Sequence, residues 1–260
     1  FTTATDTHNT AVGYFSGGSV STGIQNTLIG SLAGDALTTG NVNAALGYGA
    51  LSSATINGGN TAIGPQALMN FNNTTTASTY NTAVGYNAGV SVSTGIQNTY
   101  VGSLAGDGAT TGAGNTGMGF SSLSGAITGN YNAGFGYNAL GSVTSSDSNS
   151  ALGTNAGYNI TTGANNICIG RDAGLAGSPA NITTQSNLIA LGNNSITAAY
   201  IVVDWTVTSD ARDKTDFTPL DLGLDFVKAL SPVTYRWDMR SDYGDITAED
   251  YDLNAQTPDG

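Results

Sequence analysis

Residues 81–89 read NTAVGYNAG, and this stretch decides the fold because the chain repeats it many times. Closely similar strings occur at 60–68 (NTAIGPQAL) and 149–157 (NSALGTNAG). The central glycine recurs in steps of 17 residues, apart from one step of 21 and one of 22; it stands at positions 13, 30, 47, 64, 85, 102, 119, 136, 153, 170 and 192. Self-similarity at a fixed short period is typical of a protein built from stacked repeats.

Three columns of the repeat carry its physical meaning. Asn stands four residues before the glycine in ten of the eleven repeats, and Ala or Ser stands three residues after it. The residue directly before the glycine is always apolar. This pre-glycine column consists of Val12, Ile29, Leu46, Ile63, Val84, Val101, Met118, Phe135, Leu152, Ile169 and Leu191.

Frequent glycine argues against helix, since each one costs about 1 kcal/mol relative to Ala. The columns instead predict an all-β fold, a β-solenoid (β-roll) of 17-residue coils. We expect each coil to hold a short strand, a tight corner, a second strand of small residues and a polar turn. Coils should stack at the strand spacing of about 4.8 Å. The repeated Asn should form a ladder of side-chain amides from coil to coil.

The apolar content of each coil is small. The pre-glycine residue and the Ala column give two or three side chains to bury, and we expect the pre-glycine column to be part of that core. Because so lean a coil gains a larger core when several chains pack side by side, the pattern favours an oligomeric fibre. The small residues would let the backbones approach closely.

Composition excludes several classes of function. Only 9% of the residues are charged and the net charge is −12, which disfavours nucleic acid as a partner. One cysteine (Cys168) and one histidine (His8) exclude a disulfide framework and predict no metal site and no cofactor. No apolar run approaches the length of a membrane span, so membrane insertion is not expected.

The repeat pattern resembles the heads of trimeric autotransporter adhesins and the related shafts of phage tail fibres. The resemblance covers about residues 9–196 and implies a homotrimer. Two insertions interrupt the period, near 70–79 (NFNNTTTAST) and 176–186 (AGSPANITTQS). Such loops should bulge from the column, and exposed loops often carry recognition. If a glycan binds there, Phe71 and Tyr80 are the candidate stacking side chains.

A change in composition marks a second segment. Residues 1–203 hold six charged side chains, whereas 204–260 hold the other 18. The strings SDARDKTD (209–216) and LGLDFVKALSPVTYRW (222–237) resemble the start of the intramolecular chaperone domain of endosialidase-type phage tailspikes. The pattern predicts a short helix over 221–230 and a strand over 233–237, hence a small α+β segment. We therefore divide the chain into repeats (1–196), a neck strand and linker (197–208) and a truncated chaperone domain (209–260).

The resemblance to this chaperone family implies chemistry as well as assembly. The family's chaperone drives trimerisation and then releases itself by cleavage before the first serine of the motif. Carried over, Ser209 is the nucleophile, Lys214 is its base and the bond between Thr208 and Ser209 is cut. A buried lysine of lowered pKa can accept the serine proton. This single turnover is the only enzymatic activity implied, and the shaft itself is expected to be non-enzymatic.

The function that follows is a fibre on a virion, extracellular, which attaches to a host cell-surface glycan or protein. A bacterial surface adhesin of the autotransporter type is the alternative, although the chaperone motif stands where its membrane anchor would be. A carbohydrate-degrading tailspike needs two flanking carboxylates, and the repeats offer only scattered acids. An ice-binding Thr array is broken by Ala44 and Ala133.

Overall fold

The structure, a computed structural model, describes residues 7–75, 78–178 and 180–200. The chain divides into two units, Phe1–Tyr200 and Ile201–Gly260, and the second lies outside the described residues. The predicted chaperone segment 209–260, including its helix and strand, and all but the first residues of the predicted neck 197–208 lie there too. The boundaries proposed for them therefore stay predictions.

The described part of the chain contains eleven strands of three residues each and no helix. Every strand ends at the residue before a repeat glycine. The strands are β1 Thr10–Val12, β2 Thr27–Ile29, β3 Ala44–Leu46, β4 Thr61–Ile63, β5 Thr82–Val84, β6 Thr99–Val101, β7 Thr116–Met118, β8 Ala133–Phe135, β9 Ser150–Leu152, β10 Ile167–Ile169 and β11 Ile189–Leu191.

All eleven strands belong to one parallel sheet in which each strand pairs with the next along the chain. The pairing is in register, so equivalent residues stand above one another: Thr99 pairs with Thr116 and Val101 with Met118. A parallel neighbour requires a return path, and here one coil supplies it. The prediction of an all-β solenoid with coils of about 17 residues is confirmed.

The core is a narrow stack of side chains inside the coils. The middle residue of each strand points inward, as with the fully buried Leu28 and Cys168. The Ala or Ser after the corner closes the core, and an aliphatic side chain from the far side of the coil, such as Leu37 or Ile160, fills its centre. Each coil thus buries a few small side chains, which matches the lean core expected.

Ten asparagines form a continuous ladder through the interior, which confirms the predicted role of this column. In each coil the side-chain oxygen accepts the backbone N–H of the Asn in the next coil, as from Asn115 to Asn98 at 2.9 Å. Its amide also donates to a carbonyl at the turn of the next coil, as from Asn98 to Gly112 at 2.8 Å. The ladder runs from Asn9 to Asn166 and ends where the backbone N–H of Leu188 donates to Asn166.

The repeat glycine is required by the tightness of the corner. Gly30 has φ +131°, a conformation that side chains rarely allow, and a Cβ there would lie 2.5 Å from the carbonyl oxygen of Gly47 on the next coil. Close stacking of corner on corner leaves no room for any other residue. The same contact with the backbone of the next coil, at less than 3.0 Å, explains the glycine in the first nine coils, from Gly13 to Gly153.

The expected second strand of small residues is wrong. After the corner, left-handed residues alternate with others, as at Leu32 (φ 59°) and Gly34 (φ 56°), so the segment is a chain of turns. An extended strand needs negative φ throughout. The segment is still held by coil-to-coil hydrogen bonds, for example from the N–H of Gly17 to the carbonyl of Ala33 at 3.0 Å.

The pre-glycine column was also expected in the core, and this is wrong. These side chains point away from the coil interior, and Val12 and Leu152 are 57% and 56% exposed. The reason is the period of two in a strand: once the middle residue points inward, the residues on either side of it point outward. The core is filled instead by the middle strand residue.

Candidate functional site

The outer face of the sheet is continuous over all eleven strands. It consists of two parallel columns, the pre-glycine column and the first residue of each strand. The first residue is Thr in coils 1, 2 and 4–7, where it stands beside an apolar neighbour such as Ile63 or Val84. The face is therefore a strip of apolar side chains bordered by hydroxyls.

The character of this face changes in the last coils. Thr gives way to Ala133, Ser150, Ile167 and Ile189, so the face becomes almost entirely apolar over β8–β11. A shallow groove opens there between the two columns. It is lined by Ala133, Phe135, Ser150, Ala151, Leu152, Ile167 and Ile169.

The two aromatic residues proposed from the first insertion lie in different environments. Phe71 is fully buried in the stack that contains Leu37 and Val92, so its ring offers no face to a ligand. Tyr80 is 59% exposed and borders a groove with Val42, and its ring lies over Gly59. Of the pair, only Tyr80 is placed where a glycan could reach it, and that role remains a prediction.

A column of aromatic residues on the surface was not expected from the sequence. The residue directly after the repeat glycine is exposed and aromatic in five coils; these are Tyr14, Tyr48, Tyr86, Phe120 and Tyr137. Phe120 and Tyr137 stack with centroids 5.5 Å apart and planes 9° apart. The signal was present in the repeat, because this position alternates between aromatic and small residues from coil 1 to coil 7.

Two equivalent carboxylates are the perturbed acids of the described region. In Asp35 and Asp107, Oδ1 is buried without a hydrogen bond, and burial raises the pKa of both side chains above its usual value. They stand four coils apart, which at about 4.8 Å per coil is roughly 19 Å. A glycosidase pair requires roughly 5–9.5 Å, so these two cannot act together on one bond.

The cysteine of the described region lies in the core. Burial raises the pKa of the Cys168 thiol to about 11, which keeps it protonated and unreactive.

Among residues 7–75, 78–178 and 180–200 there is no cluster of His, Cys, Asp or Glu that could hold a metal ion. Nor does this part of the chain contain a helix long and apolar enough to cross a membrane. The predicted Thr208, Ser209 and Lys214 lie outside the described residues.

Comparison with known protein families identifies the second segment. Residues 209–255 match the family described as chaperone of endosialidase. The match begins at the serine of the SDARDK motif, so the resemblance found in the sequence is confirmed for this segment. Proteins with this domain assemble as trimers. No curated protein and no solved structure matches the chain.

Proposed function

We propose that the chain is the shaft of a homotrimeric viral fibre, a phage tail fibre, which carries its own assembly chaperone. The fibre belongs to the virion, is extracellular, and attaches to a glycan or protein on the host cell. Two features support this proposal. One is a solenoid with an apolar outer strip, and the other is the chaperone match that follows it at 209–255.

The outer strip is the observation that carries the proposal. A soluble monomer rarely exposes a continuous apolar patch of more than a few hundred Å². Here an apolar side chain stands outward in every coil, and several of them, such as Val12, Leu46 and Leu191, are about half exposed. Since all coils have the same height, each coil of one copy can contact the equivalent coil of another copy along the whole column. Second and third copies of this chain are therefore the proposed occupants of the strip.

The most apolar part of the strip is next to the chaperone segment along the chain. Each of the last two coils has two apolar side chains that point outward. They are Ile167 and Ile169 in one coil, and Ile189 and Leu191 in the next. A chaperone that brings three chains together at 209–255 would first align these coils. Contact would then extend toward β1, where Thr lowers the apolar content of the face.

The second part of the proposal is release of the chaperone. The Ser209 hydroxyl donates its proton to the Lys214 amine. The Ser209 Oγ then attacks the carbonyl carbon of Thr208. The peptide bond breaks as an ester to the Ser209 side chain forms, and the freed Ser209 amine takes up a proton. Water then hydrolyses the ester and separates the two pieces. Both reacting groups belong to one chain, so no substrate has to be bound.

The mass of the assembled protein tests the proposal. The uncleaved chain has a mass of 26.1 kDa, and sedimentation equilibrium of the uncleaved protein should give three times this value. A folded monomer over the micromolar range would overturn the fibre proposal. Circular dichroism in the same samples separates a folded monomer from an unfolded chain.

A further inference from the structure

The position directly after the repeat glycine forms a regular pattern on the surface. From coil 1 to coil 7 its residues are alternately aromatic and small, and coil 8 adds a further ring. We call the exposed rings Tyr14, Tyr48, Tyr86, Phe120 and Tyr137 the aromatic column. The residues between the first four are Ser31, Pro65 and Ser103. The pattern continues across the insertion between β4 and β5, so that segment leaves the spacing of the rings unchanged.

The backbone holds these positions at a fixed spacing. The carbonyl of each ring-bearing residue accepts an N–H from the next coil, from Leu32 to Tyr14 at 2.9 Å and from Gln66 to Tyr48 at 2.8 Å. The carbonyl of Tyr86 accepts from Leu104 in the same way, at 2.9 Å. Two coils separate successive rings, which corresponds to about 10 Å along the column.

This spacing matches a particular class of ligand. In an extended β-1,4-linked polysaccharide, successive sugars are turned over relative to each other, so every second sugar shows the same face to one side. The disaccharide unit is close in length to two coils. A row of rings at that spacing can therefore stack on every second sugar, with the small residues Ser31 and Ser103 leaving room between them.

The chemistry of the surroundings selects a neutral ligand. No charged side chain stands in this position between Tyr14 and Thr154, nor in the positions on either side of it from Phe15 to Asn138. An acidic polysaccharide would require Lys or Arg at this surface. Amide side chains directly follow two of the rings, Asn87 after Tyr86 and Asn138 after Tyr137. Aromatic faces with nearby amides suit sugar rings, which have apolar faces and hydroxyl edges.

We propose that the aromatic column binds an extended, neutral β-1,4-linked polysaccharide that lies parallel to the solenoid axis. The inference rests on the proposed role in host attachment and names the receptor class for it. It places the binding surface on the shaft itself, at a position distinct from Tyr80 and the first insertion. Phe120 and Tyr137 stack on each other, so the separate rings at the two-coil spacing are Tyr14, Tyr48 and Tyr86.

Calorimetric titration of the full chain with cellohexaose, mannohexaose and chitohexaose tests this inference. At least one of these β-1,4-linked oligosaccharides should bind, and maltohexaose, which is α-1,4-linked and curved, should not. The double variant Tyr48→Ser with Tyr86→Ser should weaken binding by about a hundredfold, because loss of aromatic stacking costs about tenfold per ring. Serine already stands at this position in coils 2 and 6, so the coils should fold normally.

Tyr131→Ser is the matched control. Tyr131 is an exposed ring in another column, where Ser148 stands one coil later, and its loss should leave binding unchanged. Absence of binding by all three β-1,4-linked probes would overturn the inference, as would undiminished binding by the double variant. Sedimentation of the same samples keeps the two proposals apart. If the double variant loses the trimer, the rings are contacts between chains and this inference alone is overturned. If the wild type is a monomer, the fibre proposal is overturned.

Discussion

The side-chain oxygen of Asn98 accepts the backbone N–H of Asn115, one coil further along, at 2.9 Å. Both residues are fully buried. The bond lies just before strands β6 and β7 and extends their pairing by one residue. The acceptor is the side-chain oxygen of Asn98, where a strand pair would use a backbone carbonyl. Because the same bond recurs in every coil, the ladder fixes the register of each coil on the next.

Replacing Asn98 with Ala should be strongly destabilising. The change leaves the N–H of Asn115 and the carbonyl of Gly112 buried without their partner, and each such group costs about 1–3 kcal/mol. We expect the free energy of unfolding to fall by about 2–5 kcal/mol, measured by calorimetry or chemical denaturation. Asn159→Ala is the control, since Asn159 donates only to Asn181 at the exposed surface, and it should change little. Equal effects of the two changes would contradict a structural role for the ladder.

Two glycines of the repeat should differ strongly in how much they are destabilised by replacement with Ala. Gly102 has φ +133° and a Cβ there would lie 2.6 Å from the carbonyl oxygen of Gly119, so Gly102→Ala should prevent the corner from closing. Gly49 has φ +62° with open space around it, and Leu32 and Gln66 stand at its position in the neighbouring coils. Gly49→Ala should cost only about 1–2 kcal/mol, the usual left-handed penalty. Thermal unfolding followed by circular dichroism compares them, and comparable melting temperatures would show that the corner tolerates a side chain.

Ile169→Asp should separate folding of the coil from assembly of the fibre. Ile169 points outward and is 44% exposed, so a carboxylate there leaves the coil core intact. In a trimer packed through this strip, the change buries a charge from each chain at a cost of several kcal/mol per ion. We expect a β-type circular dichroism spectrum with the trimer lost in sedimentation. Ser145→Asp, at an exposed turn, should remain trimeric, and a trimeric Ile169→Asp would place the interface elsewhere.

Asp107→Asn should stabilise the protein in a manner that depends on pH. Burial raises the pKa of Asp107 in the folded state, so the unfolded chain loses the proton first as pH rises. The wild type is therefore penalised above the folded-state pKa, and the penalty disappears below the unfolded value of about 3.9. The variant should be more stable than the wild type at pH 7 and nearly equal to it below about pH 3.9. A difference that is constant over this range would show that the carboxylate is not the cause; Asp147→Asn, at an exposed position, is the control.

Self-cleavage should require Ser209 and depend on Lys214. In a chain that carries the whole chaperone domain, Ser209→Ala should abolish cleavage because no hydroxyl remains to attack the Thr208 carbonyl. Lys214→Ala should slow cleavage greatly while the trimer still forms. Gel electrophoresis over time follows the reaction, and N-terminal sequencing of the released piece should begin Ser-Asp-Ala-Arg. Release that begins at another residue would refute the assignment.

The repeat made the fold predictable, but not the direction of every column. The period, the number of coils and the Asn ladder were predictable from the spacing of Asn and glycine. Both residues recur at fixed positions of the repeat, and few other folds require them so often. The direction of Val101 did not follow, because an apolar residue in a three-residue strand is compatible with either face. The middle position does not decide it either, because it holds the large Leu28 and Tyr100 in some coils and the small Ala83 and Gly134 in others.

The turns after the corner are not distinguishable from a strand in the sequence, for a related reason. Small residues such as Ala33 occur both beside extended residues and beside left-handed ones. Leu32 and Leu104 have positive φ, although leucine in a sequence does not indicate a left-handed conformation. Their left-handed conformation is imposed by hydrogen bonds to the adjacent coil, as from Leu104 to Tyr86. For the same reason the aromatic column was overlooked, because its meaning depends on the distance between coils and not on any one repeat.

Stacking of each coil only on its neighbours also determines how the shaft responds to load. Bonds such as that from Asn115 to Asn98 run along the column, so a pull on the two ends of residues 7–200 strains them directly. An end coil has neighbours on one side only and opens before the interior ones. Each coil that opens frees 17 residues, or roughly 56–61 Å of extended chain, from a height of about 4.8 Å. A column of this kind lengthens in discrete steps under load and absorbs work at each step.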